Sequence, residues 1–512
     1  MKNRLVGSDQ GTMHAFALGS GIMVVGRFLG RGFSLLGQIA VARILGPASY
    51  GLYSLGYTLI RLGELIFPIG LDQAVVRFGF SVDRSRPQNH RAMILRSIWI
   101  TIIVGIVFGG LAFVFAPLLA GTLFGKPELI RVIRWIAPGL ALAAGLQVSA
   151  SATTITRRMH FWVISRELVQ PILNVILILL ASFFGLRLYG ALTALVLSYA
   201  AALASALMFL RKLFPEQKNT EQRRNQGLTA RELFGFSIPA ALARMFGSFI
   251  FMFDRLIMVL FRTVEEVGIY QAAAFLSLLF ISILSAFNAA LAPAISETYR
   301  KGDLSRLRQL YRNSTRWGIY ISLPGYLVIL VAPRLILSVV FGTEYSEGWV
   351  ALVILATGQF IGILVGGVGP MLMMTGHQNR LMNLSAAAFL LHLSLSIVLV
   401  PDFGVLGGAI GVGAALAFLY FGSLWSVWRL VGCWPYEWQS LKWLGAALGA
   451  FIVLLLARGV LSCAPVLQFV ALTAISYGAF LVLIILQGLP EDVTALLTRV
   501  FKRRHNPVEG WE

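Results

Sequence analysis

Apolar segments of about 20 residues recur along the whole chain, separated by short polar loops, and this recurrence limits the fold more than any other feature of the sequence. Lipid offers no hydrogen bonds, so a spanning segment must satisfy its own backbone as a helix or close into a barrel. The segments run too long, and without the alternating pattern of outer-membrane strands, for a barrel. Composition agrees: 58% of the residues are hydrophobic and only 12% charged, with a mean hydropathy of +0.80, against roughly a quarter charged in soluble domains. The sequence therefore predicts an all-α integral membrane protein.

Fourteen spans are predicted: 18–44, 50–76, 97–123, 132–155, 163–184, 188–210, 233–260, 265–293, 315–340, 347–374, 381–401, 404–428, 441–461 and 466–488. No small-residue cleavage pattern follows the first apolar stretch, so the first helix is expected to stay. The net charge of +20 could suggest nucleic acid, but most of the 42 Lys and Arg fall in alternate loops and the two tails. Their clusters include "RSRPQNHR" (84–91), "TRRMH" (156–160), "YRKGDLSRLRQLYRNSTR" (299–316) and "FKRRH" (501–505). That asymmetry places both termini in the cytoplasm, with attraction to anionic membrane lipid as a secondary effect. No loop could house a folded nucleic-acid-binding domain. Two cysteines, Cys433 and Cys463, provide no disulfide framework.

The chain repeats itself. Arg27-Phe28-Leu29-Gly30 is followed by Gly51-Leu52-Tyr53, and Arg244-Met245-Phe246-Gly247 by Gly268-Ile269-Tyr270, all at one offset of 217 residues. Gly190-Ala191 pairs with Gly408-Ala409 at 218. An even number of spans separates the copies, which implies two parallel six-helix bundles about a pseudo-twofold axis along the membrane normal, with substrate between them. The expected organisation is a first bundle (1–212), a polar linker (213–232), a second bundle (233–430), an extra helix pair (431–488) and a basic tail (489–512).

Eight of the charges within these spans are the candidate site residues: Arg27, Arg31, Arg61, Glu64, Asp72, Arg244, Asp254 and Arg255. Each costs about 2.5–3.5 kcal/mol at a helix centre, so together on the order of 20 kcal/mol if they faced lipid, beyond the ~5–15 kcal/mol stability of a typical fold. They must line water or pair with one another. Arg27 and Arg31 share one helix face at i, i+4; Arg61 and Glu64 share another at i, i+3. The repeat sets Arg244 opposite Arg27 across the axis. Guanidinium stays charged and binds phosphate bidentately, so Arg27, Arg31, Arg61, Arg244 and Arg255 are the expected walls of a central anion site. Arg61 and Glu64 could instead satisfy each other, and Asp254 and Arg255 could form a structural pair. Pro68, Pro171, Pro239 and "GGVGP" (366–370) are expected kinks or hinges. No GxxxxGK[ST], HExxH or GxSxG motif is present, and His160, His377 and His392 are isolated in sequence, so neither an enzyme, a cofactor nor a metal is expected.

Three segments carry a resemblance: "ARILGPASYGLYSLGYTLI" (42–60), "SETYRKGDLSRLRQLYR" (296–312) and "MLMMTGHQNRLMN" (371–383). They are similar to bacterial polysaccharide transporters of the O-antigen flippase type, within the multidrug/oligosaccharidyl-lipid/polysaccharide exporter superfamily. The resemblance implies an alternating-access flippase of the bacterial inner membrane. Its substrate would be an undecaprenyl-diphosphate-linked oligosaccharide, and polysaccharide polymerase or export machinery its partner. The family's cationic cavity carries over onto Arg27, Arg31 and Arg244. Glu64, Asp72 and Asp254 become candidates for ion coupling, and spans 13 and 14 for a lipid-tail groove. Two alternatives compete: a drug or cation antiporter of the same superfamily, which should prefer an acidic cavity, and a membrane enzyme of polysaccharide assembly, which should carry a large outer loop and no twofold repeat.

Overall fold

The computed structural model describes residues 3–81, 87–156, 159–215, 245–437 and 442–487. Arg244, nearly all of the linker and the basic tail lie outside the described residues, as does the side chain of Arg27. The described residues are helical with no β-strand. Among the described residues, eleven helices are long and apolar enough to cross a membrane, or up to twelve counting one bent pair as a span. Two features separate that tally from the fourteen expected spans. Spans 1 and 2 run as one element, Phe28–Ile66, and much of span 7 lies outside the described residues.

The first half comprises α1 (Asn3–Ile66), α2 (Leu71–Ser81), α3 (Pro87–Val114), α4 (Glu128–Thr153), α5 (Met159–Trp162), α6 (Gln170–Phe183) and α7 (Arg187–Leu213). At 64 residues α1 is too long for one crossing, and Gly46 divides it at φ 74°, ψ 171°. Pro47 follows, suited to open a helix because it has no N–H to satisfy. A second break falls at Pro68, one of the expected hinges. Ile69 and Gly70 both take left-handed φ (49° and 75°), which separates α1 from α2 in the middle of expected span 2. A β-branched residue is rarely left-handed, so only the surrounding structure can hold Ile69 there. Between α5 and α6 the chain widens into a π-helical turn, Val163–Val169.

The second half comprises α8 (Phe253–Phe261), α9 (Val264–Arg300), α10 (Leu304–Val331), α11 (Pro333–Val340), α12 (Trp349–Val365), α13 (Val368–Met374), α14 (Gln378–Phe403) and α15 (Val405–Val431). Expected span 9 bends by 95° between α10 and α11. Expected span 10 breaks at Gly366 (φ 72°), where the Tyr311 and Tyr436 hydroxyls donate to the freed carbonyls of Val365 and Leu364 at 2.6 and 2.5 Å. In the turn before α10, Asp303 accepts from the Arg306 backbone N–H at 3.0 Å as an N-cap. That bond, with one from Ser305, holds its carboxyl below the usual carboxylate range.

The last pair, α16 (Lys442–Val460) and α17 (Pro465–Leu486), packs together and against α10. Ser476 and Tyr477 donate to the Pro324 and Ile321 carbonyls at 2.8 and 3.0 Å, and Arg458 to that of Val331. Both cysteines are free thiols, Cys433 buried.

Each half packs on itself, and the principal contact between halves is α1 against α9. There the repeat becomes visible in space. A methyl placed on Gly51 would stand 1.8 Å from the Val264 carbonyl oxygen; one on Gly268 would stand 2.0 Å from that of Pro47. These two contacts exchange under the 217-residue offset, as a twofold axis between the glycines requires. Small residues let helix backbones approach this closely. The same end of the seam is tied by Tyr345 donating to the Ala42 carbonyl (2.9 Å) and Arg43 to those of Val340 (2.9 Å) and Val339. Tyr50 fills the space between them against Phe341 and Tyr345.

Candidate functional site

Among the described residues, Arg61, Glu64 and Asp72 fall in one cluster and Asp254 and Arg255 in another, one in each half. In the first, Glu64 at the end of α1 is held from both sides. Arg61 Nη1 lies 2.8 Å from Glu64 Oε2, realising the i, i+3 spacing, and Arg166 Nη2 lies 2.6 Å from Oε1. Arg166 also donates to Gln147 Oε1, and Gln147 Nε2 donates to Asp72 Oδ2 at 2.8 Å. Five side chains thus form one connected chain running from α1 through the π-helical turn and α4 to α2. Asp72 is buried on the far side of the break at Ile69–Gly70. Tyr57, Tyr199 and Glu167 lie within electrostatic reach of Arg61.

The π-helical turn explains how Arg166 gets there. An inserted residue shifts side-chain register along a helix, and such bulges concentrate at functional sites. Helix α1 lies directly on this turn: a methyl on Gly26 would meet Val163 Cγ1 at 2.0 Å, and one on Gly30 the Glu167 carbonyl oxygen at 2.0 Å. Arg31, partly buried, follows immediately on α1. The described cations Arg31, Arg61 and Arg166 therefore belong to one region of the first half.

In the second cluster Asp254 is 3% and Arg255 7% exposed. Asp254 accepts from the Tyr270 hydroxyl at 2.9 Å and from the Arg255 backbone N–H at 2.8 Å. The Arg255 guanidinium lies 3.8 Å from Asp254 Oδ1 and donates to the Phe251 carbonyl at 2.7 Å. His392 on α14, fully buried and within electrostatic reach of Asp254, shares a hydrogen bond with Ser396 through Nδ1 at 3.1 Å, while its Nε2 has no hydrogen-bond partner among the described residues. Arg255 is thus enclosed beside an acid, whereas the Arg61 side chain is 38% exposed.

The offset shows what differs between the halves. At 217 residues Asp254, Arg255 and Tyr270 correspond to Gly37, Gln38 and Tyr53, and at 218, the spacing of the later glycine–alanine pairs, His392 corresponds to Asn174. In the first half Asn174 donates to the Tyr53 hydroxyl at 3.3 Å. One scaffold therefore carries an amide beside a glycine in one copy, and an imidazole with a carboxylate in the other. Among the described residues no group of three or more His, Cys, Asp or Glu gathers as a metal site.

Sequence reasoning did not single out Arg166, Gln147 and Tyr270, and it left His392 as an isolated residue. Arg166 sits three residues inside expected span 5 beside Glu167, a pair that reads as the flank of a membrane segment. A charge that deep in an apolar run was the available signal.

A helical bundle in two related halves, meeting at a glycine crossing and carrying buried arginine–acid clusters, defines a polytopic membrane transporter. The chain belongs to the polysaccharide biosynthesis protein family, which its residues 40–349 match. Among curated proteins it is similar to the probable low-salt glycan biosynthesis flippase Agl15 of Haloferax volcanii, with 24% identity over 77% of this chain and 79% of the relative. Among solved structures its fold is similar to the lipid II flippase MurJ in an inward closed conformation, at a TM-score of 0.73 and 12% identity over 90% of this chain and 97% of that one. An inward-facing multidrug resistance MATE family transporter of the MOP superfamily matches at 0.61, with 15% identity over 80% and 98% of the two chains.

Proposed function

We propose that this protein is a flippase that moves undecaprenyl-diphosphate-linked oligosaccharide from the cytoplasmic to the periplasmic leaflet of the bacterial inner membrane by alternating access. One observation carries the reading: Arg61, its side chain partly exposed, is paired with Glu64, which a second arginine holds from the other side. A cation kept there at the insertion cost of charge in lipid calls for an anionic passenger, and a diphosphate matches guanidinium geometry. The family and the flippase named among its relatives point the same way.

With both termini in the cytoplasm, the Gly51–Gly268 crossing and the Arg43 and Tyr345 ties lie at the periplasmic end. That seam is then the outer seal, with Arg31 and Arg61 standing along the passage behind it. The packing of α16 and α17 on α10, with Tyr320 against Phe480, supplies an apolar wall on which the polyprenyl tail runs while the head group crosses. The test is mass spectrometry of polyprenyl-linked saccharides in cells with and without the gene. Accumulation of one lipid-linked oligosaccharide on the cytoplasmic side after deletion is the expected result. An unchanged lipid pool in a strain that expresses the gene would move the reading to a drug or cation antiporter.

Ion coupling belongs to the second cluster. Asp254, buried with Tyr270 and with His392 in electrostatic reach, is placed to take up and release a cation as the lobes move, while Glu64 and Asp72 are tied to arginine and amide donors. Asp254→Asn keeps an acceptor for Tyr270 and removes the exchangeable charge. Its expected effect is a loss of at least about tenfold in transport driven by an imposed ion gradient, with substrate binding to purified protein unchanged. Gradient-driven transport equal to wild type in proteoliposomes would remove Asp254 from the coupling role.

A further inference from the structure

The two arginines that hold Glu64 are not equivalent. Arg61 and Glu64 sit on one helix with the cation N-terminal to the acid, the less favourable order for a helical ion pair. Arg61 is also the more exposed, at 38% of its side chain against 20% for Arg166. Arg166 comes from another helix and is anchored from behind: it donates to Gln147, which in turn donates to the buried carboxylate of Asp72. Glu64 itself is only 5% exposed. An acid buried between two guanidinium groups compensates charge that would otherwise stand alone in a low-dielectric site.

We propose that Glu64 is a stand-in for the passenger's phosphate, that an arriving phosphate displaces it from Arg61, and that Arg166 is the positioning residue that keeps Glu64 in place when Arg61 leaves. The proposal rests on the anion-passenger reading above. In the empty protein Glu64 neutralises Arg61, so the arginine is carried in the membrane without a bare charge. When a phosphate arrives, Arg61 exchanges one anion for another while Glu64 keeps its second oxygen on Arg166. The released carboxylate therefore neither stays unpaired nor follows Arg61 to repel the phosphate. No bond is made or broken beyond ion pairs and hydrogen bonds. Arg166 acts on the phosphate only through Glu64, and that indirectness is open to measurement.

The experiment is titration calorimetry of the full-length protein in nanodiscs with inorganic pyrophosphate, on five variants and the wild type. Glu64→Gln, which removes the competing anion, is expected to tighten pyrophosphate binding about tenfold. Arg61→Ala should abolish it. Arg166→Ala frees Glu64 to place both oxygens on Arg61, and should weaken binding about tenfold. Combined with Glu64→Gln, Arg166→Ala should cost nothing further, because its target is gone; Arg166→Lys in the wild-type background should restore much of the loss. A double variant weaker than Glu64→Gln by the same factor as the single Arg166→Ala would mean that Arg166 meets the anion directly or only supports the fold, and the proposal would fall alone. Wild-type protein that binds no pyrophosphate would overturn the proposal and the anion-passenger reading together. Melting temperatures of all variants within a few degrees of wild type exclude unfolding as the cause.

Discussion

Arg61→Ala is expected to lower the rate of lipid-linked saccharide transfer by at least about a hundredfold without unfolding the protein. A bidentate guanidinium–phosphate contact contributes about two charge-assisted hydrogen bonds of roughly 1.5–3 kcal/mol each, and about 2.7 kcal/mol already corresponds to a factor of 100. Removing one member of a buried ion pair normally costs about 3–5 kcal/mol, because the other is left bare. That penalty is not expected here. Glu64 keeps Arg166 at 2.6 Å, and the Arg61 side chain is partly exposed, so little packing is lost with it. Arg31→Ala is expected to act in the same direction, since Arg31 follows directly on the glycine contact that holds α1 against the π-helical turn. The measurement is transfer of a fluorescent polyprenyl-diphosphate saccharide across proteoliposome membranes, normalised to inserted protein. Rates within threefold of wild type for both variants would remove the central anion site from the mechanism.

The pairing of Arg61 with Glu64 was legible because i, i+3 spacing is a property of one helix and needs no tertiary information. The Gly51–Gly268 contact was legible at one remove: a repeat with an even number of spans implies a twofold axis, and matched small residues are where such helices can touch. The connection from Glu64 to Asp72 was not legible. Glu64 and Asp72 both fall within expected span 2, yet Ile69 in a left-handed conformation breaks that span between them. No propensity rule puts a β-branched residue there; tertiary packing does. Arg166 was hidden for a related reason, since its partners lie on α1 and α4 and a π-helical turn alters its register. The asymmetry between Asn174 and His392 becomes meaningful only once their surroundings are compared, one facing a hydroxyl, the other within reach of a buried acid.

Gly268→Ala is expected to open the Gly51–Gly268 seam and stall the transport cycle, and Gly51→Ala to do the same to a similar extent. The added carbon on Gly268 would stand 2.0 Å from the Pro47 carbonyl oxygen and 3.0 Å from the Gly51 nitrogen; on Gly51 it would stand 1.8 Å from the Val264 oxygen. Backbone atoms of two helices cannot rotate away as a side chain can, so α1 and α9 must separate. Overpacking of this kind costs about 1–3 kcal/mol or more. Here it falls mainly on the sealed state, because the three atoms nearest each added carbon all belong to the opposite half. A bias of about 3 kcal/mol shifts a two-state equilibrium by on the order of a hundredfold. The bonds of Tyr345 to Ala42 and of Arg43 to Val340 span the same seam and would be lost with it. A thiol reporter reads the opening. Ser54 is fully buried and lies three residues from Gly51 on the same helix face. With Cys433 and Cys463 replaced, a cysteine at position 54 should resist an impermeant reagent added from the side of the membrane on which the seam lies, and react when Gly268→Ala or Gly51→Ala is present. Because the twofold exchanges the two glycines, the structure demands matching behaviour from both variants. Wild-type transport and a protected thiol in either one would mean that the glycine crossing is not the seal.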